Sequence, residues 1–160
     1  MQTLRPMTEA EYASWLVDAI AEYAAQKMGA GAWAADEAPA RSAKEHADLL
    51  PQGLATPDQH LLAICDAAGA RVGWLWFAET QRVGKRVAYV YDVSVMPERQ
   101  RQGHARRALQ ALEPRVQALG LAGVALHVFG HNQAARALYD QLGYAPTSIN
   151  LFKPVPAASA

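Results

Sequence analysis

Cysteine is all but absent from this chain: Cys65 stands alone among 160 residues. A lone thiol excludes an internal disulfide and every zinc site built on several cysteines. It suits a reducing compartment and a plain role as a small core residue. Net charge is absent too, because 15 lysines and arginines cancel 15 aspartates and glutamates. No global field then draws nucleic acid or an anionic membrane, and any recognition of charge has to be local. No apolar run approaches the ~18 residues of a membrane span, and the opening MQTLRPMTEAEYASWL lacks the basic-then-apolar order of a secretory leader. The chain therefore reads as cytoplasmic. No histidine pair shows metal-ligand spacing with a carboxylate, so no metal is expected. The phosphate loop G-x-x-x-x-G-K-[ST] is missing, and Gly29-Ala30-Gly31-Ala32-Trp33-Ala34 matches a dinucleotide fingerprint only in letters, since it follows a helical pattern and not a strand.

What is present is the composition of one folded domain, with 51% hydrophobic and 19% charged residues and no internal repeat. Thr8 with Glu11 three residues later forms a capping-box pattern, and Tyr12, Trp15, Leu16, Ala19, Ile20 and Tyr23 recur at helical spacing, so a first helix is expected over 8–28. Asp36 is the expected cap of a second helix reaching Leu50, with Pro39 in its first turn. The grammar then changes to short apolar runs, HLLAICD, RVGWLWFAE and RVAYVYDVSV, joined by turns at Ala68-Gly69 and near Gly84. Three such runs predict an antiparallel meander. A helix follows Gly103 and ends at Gly120, with a kink expected at Pro114. GVALHVF reads as a strand, Asn132 to Leu142 as a short helix stopped by Gly143, and YAPTSINLFK as one or two last strands. Leu138 and Leu142 are core by default, and the tail from Pro154 is expected to fray.

Against the zero net charge, four arginines crowd one glycine in RQRQGHARRAL: Arg99, Arg101, Arg106 and Arg107 around Gly103. A strand that passes through a glycine turn into a helix gathers the free amides of the first turn at one point, where the helix dipole favours an anion. Such a turn binds phosphate; the alternative is a solvated basic helix start.

Two ordered motifs then resemble the GNAT superfamily of acyl-CoA-dependent N-acyltransferases. Gln100-Arg101-Gln102-Gly103-His104-Ala105 satisfies the pyrophosphate pattern Q/R-x-x-G-x-G/A after Val95-Met96-Pro97, and Asn132, Ala135, Leu138-Tyr139 and Leu142-Gly143-Tyr144 repeat the second signature. The resemblance covers residues 61–153 as a cofactor-binding core, with 8–50 as a helical substrate-side arm. It implies a single domain over 1–153 with a tail at 154–160. The implied fold is α/β with a mostly antiparallel mixed sheet, flanked by helices and splayed between the fourth and fifth strands. In the gap, main-chain groups of Val93 and Val95 would hold the pantetheine of acetyl-CoA, and the Val93 amide would polarise the thioester carbonyl. Amides from Arg101 to Arg106 would hold the pyrophosphate, Asn132 would reach the pantetheine or its neighbourhood, and Tyr139 would sit by the sulfur.

Acyl transfer to an amine needs a proton taken from nitrogen and one given to the departing thiolate. Tyr139 suits the second task, because a phenol stays protonated at neutral pH. For the first, the positions where family members carry a glutamate hold Tyr89 and Tyr91, leaving Asp92, which alternation faces away from Tyr91 and Val93. Asp92 is thus a candidate base, acting through water, or the cap of a bulge. His104 and His131 are candidate bases or polar edge residues, His127 a core histidine, His46 solvent-facing. Trp74 and Trp76 share a strand face, either as core or, with Trp33, as the floor of a pocket for a cationic amine. The expected activity is acetyl transfer from acetyl-CoA to a primary amine of a small molecule or peptide, with an idle acyl-CoA sensor as the alternative. A homodimer is expected by analogy alone.

Overall fold

Thr8 does what its spacing from Glu11 predicts. A three-residue strand, β1 (Leu4–Pro6), precedes it. Its hydroxyl then accepts from the Glu11 amide at 3.2 Å while the Glu11 carboxylate accepts from the Thr8 amide at 2.9 Å. This reciprocal cap opens helix α1 (Glu9–Gly29). The computed structural model describes residues 3–82 and 84–159. Met1, Gln2, Val83 and Ala160 lie outside the described residues, and with them the first two positions of the leader reading and the last of the expected tail. Helix α2 (Ala38–Leu49) carries Pro39 in its first turn, as expected, but its N-cap is Glu37, without a side-chain bond, and not Asp36. Pro39 sets where that first turn sits, one residue later than an aspartate cap requires.

After a 3-10 turn at Gly53–Ala55 come the meander strands β2 (Gln59–Cys65), β3 (Arg71–Arg82) and β4 (Lys85–Val95). Helix α3 (His104–Ala118) follows and runs through Pro114 as one element, and β5 (Val124–Leu126) closes the sheet. The sheet order is β1-β2-β3-β4-β5; every pair is antiparallel except β4 with β5. This is the mixed, helix-flanked α/β sheet that the motifs implied.

Strand alternation divides the core into two faces. Leu62, Ile64, Leu75, Phe77 and Val90 pack with Ala108, Leu112 and Val116 of α3, while Leu61 and Trp76 pack with Met7, Trp15 and Leu50 on the side of α1. Cys65 is free and buried in the sheet, as expected. Ser42 donates to the Ile20 carbonyl at 2.7 Å and ties α2 to α1.

The described residues form two compact units, one reaching to His127 and the other beginning at Val128. The second carries α4 (Gln133–Gln141), capped by Asn132, whose side chain accepts from the Ala135 amide at 3.2 Å. Leu138 and Leu142 are half-buried, and no residue of α4 is fully buried. The strands expected in YAPTSINLFK do not form; among the described residues 144–153 there is no strand. Pro146 removes a ladder donor near the start of that stretch, and Ile149, Leu151 and Phe152 are exposed.

Candidate active site

The register of β4 against β3 shifts once. Trp76 pairs with Asp92 and Phe77 with Val90, so Tyr91 is the extra residue of a β-bulge. A bulge breaks the two-residue alternation and turns consecutive side chains to one side. Tyr91 and Asp92 accordingly line the same cavity, which corrects the expectation that they face opposite ways; Val93 does point to the other face, into the core beside α3. The bulge also ends the parallel pairing, because β5 follows β4 only over Ala88, Tyr89 and Val90. Past Val90 no strand among the described residues covers that edge of β4. His127, expected in the middle of a core strand, therefore lies beyond β5 and is exposed.

On the open stretch the hydrogen-bond phase is set by Met96, whose amide donates to the Val72 carbonyl at 2.8 Å. Antiparallel pairs alternate, so Ser94 also faces β3 while the main-chain groups of Val93 and Val95 face the open edge. The Val95 carbonyl accepts from Gln100 Nε2 at 3.0 Å, which folds the Gln100 side chain back onto the strand.

Beyond β4 the chain makes a 3-10 turn, Pro97–Arg99, and then two left-handed residues, Arg101 (φ 61°) and Gly103 (φ 79°). Gly103 is the N-cap of α3 and has no side-chain bond; the first intrahelical bond runs from the Arg107 amide to its carbonyl at 3.0 Å. The amides of His104 and Ala105, in the first turn, are left without a helical acceptor. Not every arginine of the cluster is available to an anion. Arg99 pairs with Asp66 at 2.6 Å, and Arg107 donates to the Gln102 carbonyl at 2.8 Å and to His104 Nδ1 at 3.1 Å. His104 is buried, 7% exposed, and is not the polar edge residue expected. Because Nδ1 accepts, the proton sits on Nε2, which is buried without a partner among the described residues. Burial, then the charges of Arg107 and Arg99, lowers its pKa and keeps the ring neutral. A glycine turn rich in amide donors fits a diphosphate.

On the opposite face of β4 two adjoining cavities of about 290 and 280 Å³ share Trp15, Ala19, Glu22 and Asp92. Trp76 floors the first: Tyr91 stacks on it at 4.6 Å and Trp15 meets it edge-on at 5.4 Å. Trp74 lines the second cavity. Trp33 lines neither and packs with Ala24, Ala38 and Tyr23, which removes it from the expected floor. Asp92 is half-buried; burial pushes its carboxyl up to about 6, partly offset by the polar edge of the neighbouring Trp15, and the Glu22 charge adds to the rise.

His46 belongs to this wall and was missed as a site residue. It is 7% exposed where a solvent-facing side chain was expected, with its ring against Trp15, Tyr23 and Trp76. Ala38, Ser42 and His46 recur every fourth residue and are the buried stripe of α2, a signal that was available in the sequence. In the second unit, the ring of Tyr139 lies 5.6 Å from that of Tyr144, and His131 is exposed and stacked on Phe129.

A mixed sheet that opens between β4 and β5 and runs into an amide-rich glycine turn defines the class as an acyltransferase fold. Residues 31–144 match the family model described as Acetyltransferase (GNAT) family. The chain is 36% identical over 150 residues to "Uncharacterized N-acetyltransferase YycN" of Bacillus subtilis, covering 94% of this chain and 96% of that protein. It is 32% identical over 151 residues to YdgE of the same organism, with the same coverage. The crystal structure of YycN superposes with a TM-score of 0.85 at 35% identity, over 96% of this chain and 98% of that one. AAC(6')-Iy, solved in complex with the bisubstrate analogue CoA-S-monomethyl-acetylneamine, shares the fold at 14% identity with a TM-score of 0.60, over 96% of this chain and 97% of that one. The chain belongs to the GNAT family and is an N-acetyltransferase.

Proposed function

We propose that the protein moves an acetyl group from acetyl-CoA to a primary amine by direct attack of the amine on the thioester. The observation that carries the reading is the junction of the uncovered β4 edge with the left-handed turn at Arg101 and Gly103, which supplies a strand-like edge and the N-terminal turn of α3 within one continuous segment.

In this assignment the Val93 and Val95 main chains hold the pantetheine as an added strand would. The turn from Gln100 through Arg101, Gln102, Gly103, His104, Ala105 and Arg106 holds the pyrophosphate, and Asn132 assists at the pantetheine. The Val93 amide polarises the carbonyl under attack. Asp92 takes the amine's proton, a task suited to a carboxylate raised to about 6 and placed in a cavity beside this strand. Tyr139 is assigned the proton given to the leaving thiolate, on the strength of the second signature.

Thiol release from acetyl-CoA across a panel of amines, with wild type and Tyr139→Phe, tests the reading. Turnover that falls about 10²-fold in the variant, with acetyl-CoA affinity kept, is the expected outcome. An unchanged rate removes Tyr139 from the mechanism. Tight cofactor binding without turnover on any amine makes the protein an acyl-CoA sensor instead.

A further inference from the structure

The first cavity is built almost wholly of groups that accept hydrogen bonds or attract cations. Its charged lining residues are Glu22, Glu45 and Asp92, with no lysine or arginine among them. These three differ in depth, since Asp92 is half-buried while Glu22 and Glu45 are exposed at the mouth. Burial, with the Glu45 carboxylate beside it, pushes the Tyr23 phenol up to about 12. Glu22 acts on Asp92 as a like charge. Like charges drawn together around a cavity leave a negative potential that favours a bound cation.

A second, independent feature points the same way. His46 Nδ1 lies 2.9 Å from the Ser42 carbonyl, and a carbonyl only accepts, so Nδ1 carries the proton. In the neutral ring Nε2 is then a bare acceptor, on a side chain 7% exposed that lines the cavity. Nε2 has no hydrogen-bond partner among the described residues. The remaining wall is aromatic, Trp15, Trp76 and Tyr91, whose faces attract ammonium groups. A volume of about 290 Å³ is at the small end of ligand pockets and suits a compact molecule.

We propose that the acceptor is a small amine bearing at least two cationic nitrogens: the reacting one lies deep, beside Asp92 and His46, and the other is held at the mouth by Glu22 and Glu45. This rests on the acetyl-transfer reading and narrows its substrate class from amines in general to small di- or oligoamines. The deep nitrogen gives a proton to Asp92 and attacks; the outer one keeps its charge throughout and serves only to hold and orient.

The test uses three four-carbon probes that differ at the far end alone: a diamine, the matching monoamine, and the matching ω-amino acid. Thiol release with acetyl-CoA is expected to give the diamine a kcat/KM about tenfold above the monoamine, with the amino acid lowest, because its carboxylate meets Glu22 and Glu45. The preference is expected to weaken in raised salt, as mouth charges are screened. Glu22→Gln and Glu45→Gln, each checked for cooperative melting, are expected to cut the diamine-to-monoamine ratio about fivefold, mainly through the KM for the diamine. Calorimetric binding of the diamine and monoamine reads the same preference without turnover. Equal use of all three probes, or a ratio untouched in both variants, overturns the proposal while leaving acetyl transfer in place. Selective diamine binding with no acetylation of any probe would sink the transfer reading and uphold the cationic site.

Discussion

Asp92 is the residue at which fold and chemistry pull against each other. Burial raises its carboxyl to about 6 from an ordinary value of 3.8. The folded state therefore holds a proton that the unfolded chain gives up across the window between those values. The contribution is stabilising when both states are protonated relative to when both are ionised, so stability from this group is lost as pH rises from about 4 through 6. By neutral pH the strain is on the order of 2–3 kcal/mol. Asp92→Asn removes the charge and keeps the shape. It is expected to raise the melting temperature at pH 8, with the gain shrinking to nothing by pH 4, in a melting series across that range. The same change is expected to cost about 10²-fold in kcat and to abolish a rising limb near pH 6 in the kcat/KM profile. A variant that is both unaltered in rate and no more stable at pH 8 would leave Asp92 as the mere cap of a bulge.

At the scale of elements, β4 and the turn behind it depend on two glycines used in different ways. Gly73 on β3 faces Val95 in a close pair, and a Cβ there would overlap the Ser94 carbonyl oxygen, which belongs to rigid backbone. Gly73→Ala is thus expected to cost about 2–4 kcal/mol and to displace the end of β4, seen as a lowered denaturation midpoint together with weakened acetyl-CoA binding. At Gly103 the space is less strict, since the nearest atom to a Cβ is the mobile end of Arg107 at 3.0 Å, but φ of 79° strains any β-branched residue. Gly103→Val is expected to weaken acetyl-CoA affinity at least tenfold by titration calorimetry, with β3 and β4 unaffected.

These elements also mark how far the sequence could be read. The cap at Thr8, the meander and the turn at Gly103 are local chemistry, and each was legible where it stands. The Tyr91 bulge was not, because register is decided by the partner strand, and one inserted residue reverses every facing beyond it. His46 was misplaced although its spacing from Ala38 and Ser42 marks one stripe of α2; the contact with Trp15 and Trp76 is what turns that stripe inward. β1 is too short to carry a pattern, and β5 stops where the bulge makes β4 diverge. The isolated Gly73 between strand residues was a visible sign of close backbone approach that went unused.

Over the molecule as a whole, zero net charge conceals ties that join distant elements. Arg5 on β1 donates twice to Glu11 on α1, at 2.9 and 2.8 Å, and Arg71 on β3 lies 3.8 Å from the same carboxylate. The Arg5 hydrogen bonds, aided by the Thr8 amide, hold the Glu11 carboxyl down at about 2 from an ordinary 4.5. Here the sign is opposite to that of Asp92: the stabilisation is complete above about pH 4.5 and is lost as pH falls toward 2. Glu11→Gln is expected to cost about 2 kcal/mol at neutral pH, a penalty flat from pH 8 to 5 that closes only in stronger acid. His104, held neutral by burial and Arg107, must be kept from protonating, and its contribution erodes as pH falls below about 6.5. The total pH profile therefore mixes opposing slopes and identifies no single group. Difference curves do: urea midpoints of Asp92→Asn and Glu11→Gln, each referred to wild type across pH 3–8, are expected to change in separate windows, the first between about 4 and 6 and the second below about 4.5. If both differences change in one shared window, at least one of the two carboxylates has been assigned the wrong environment.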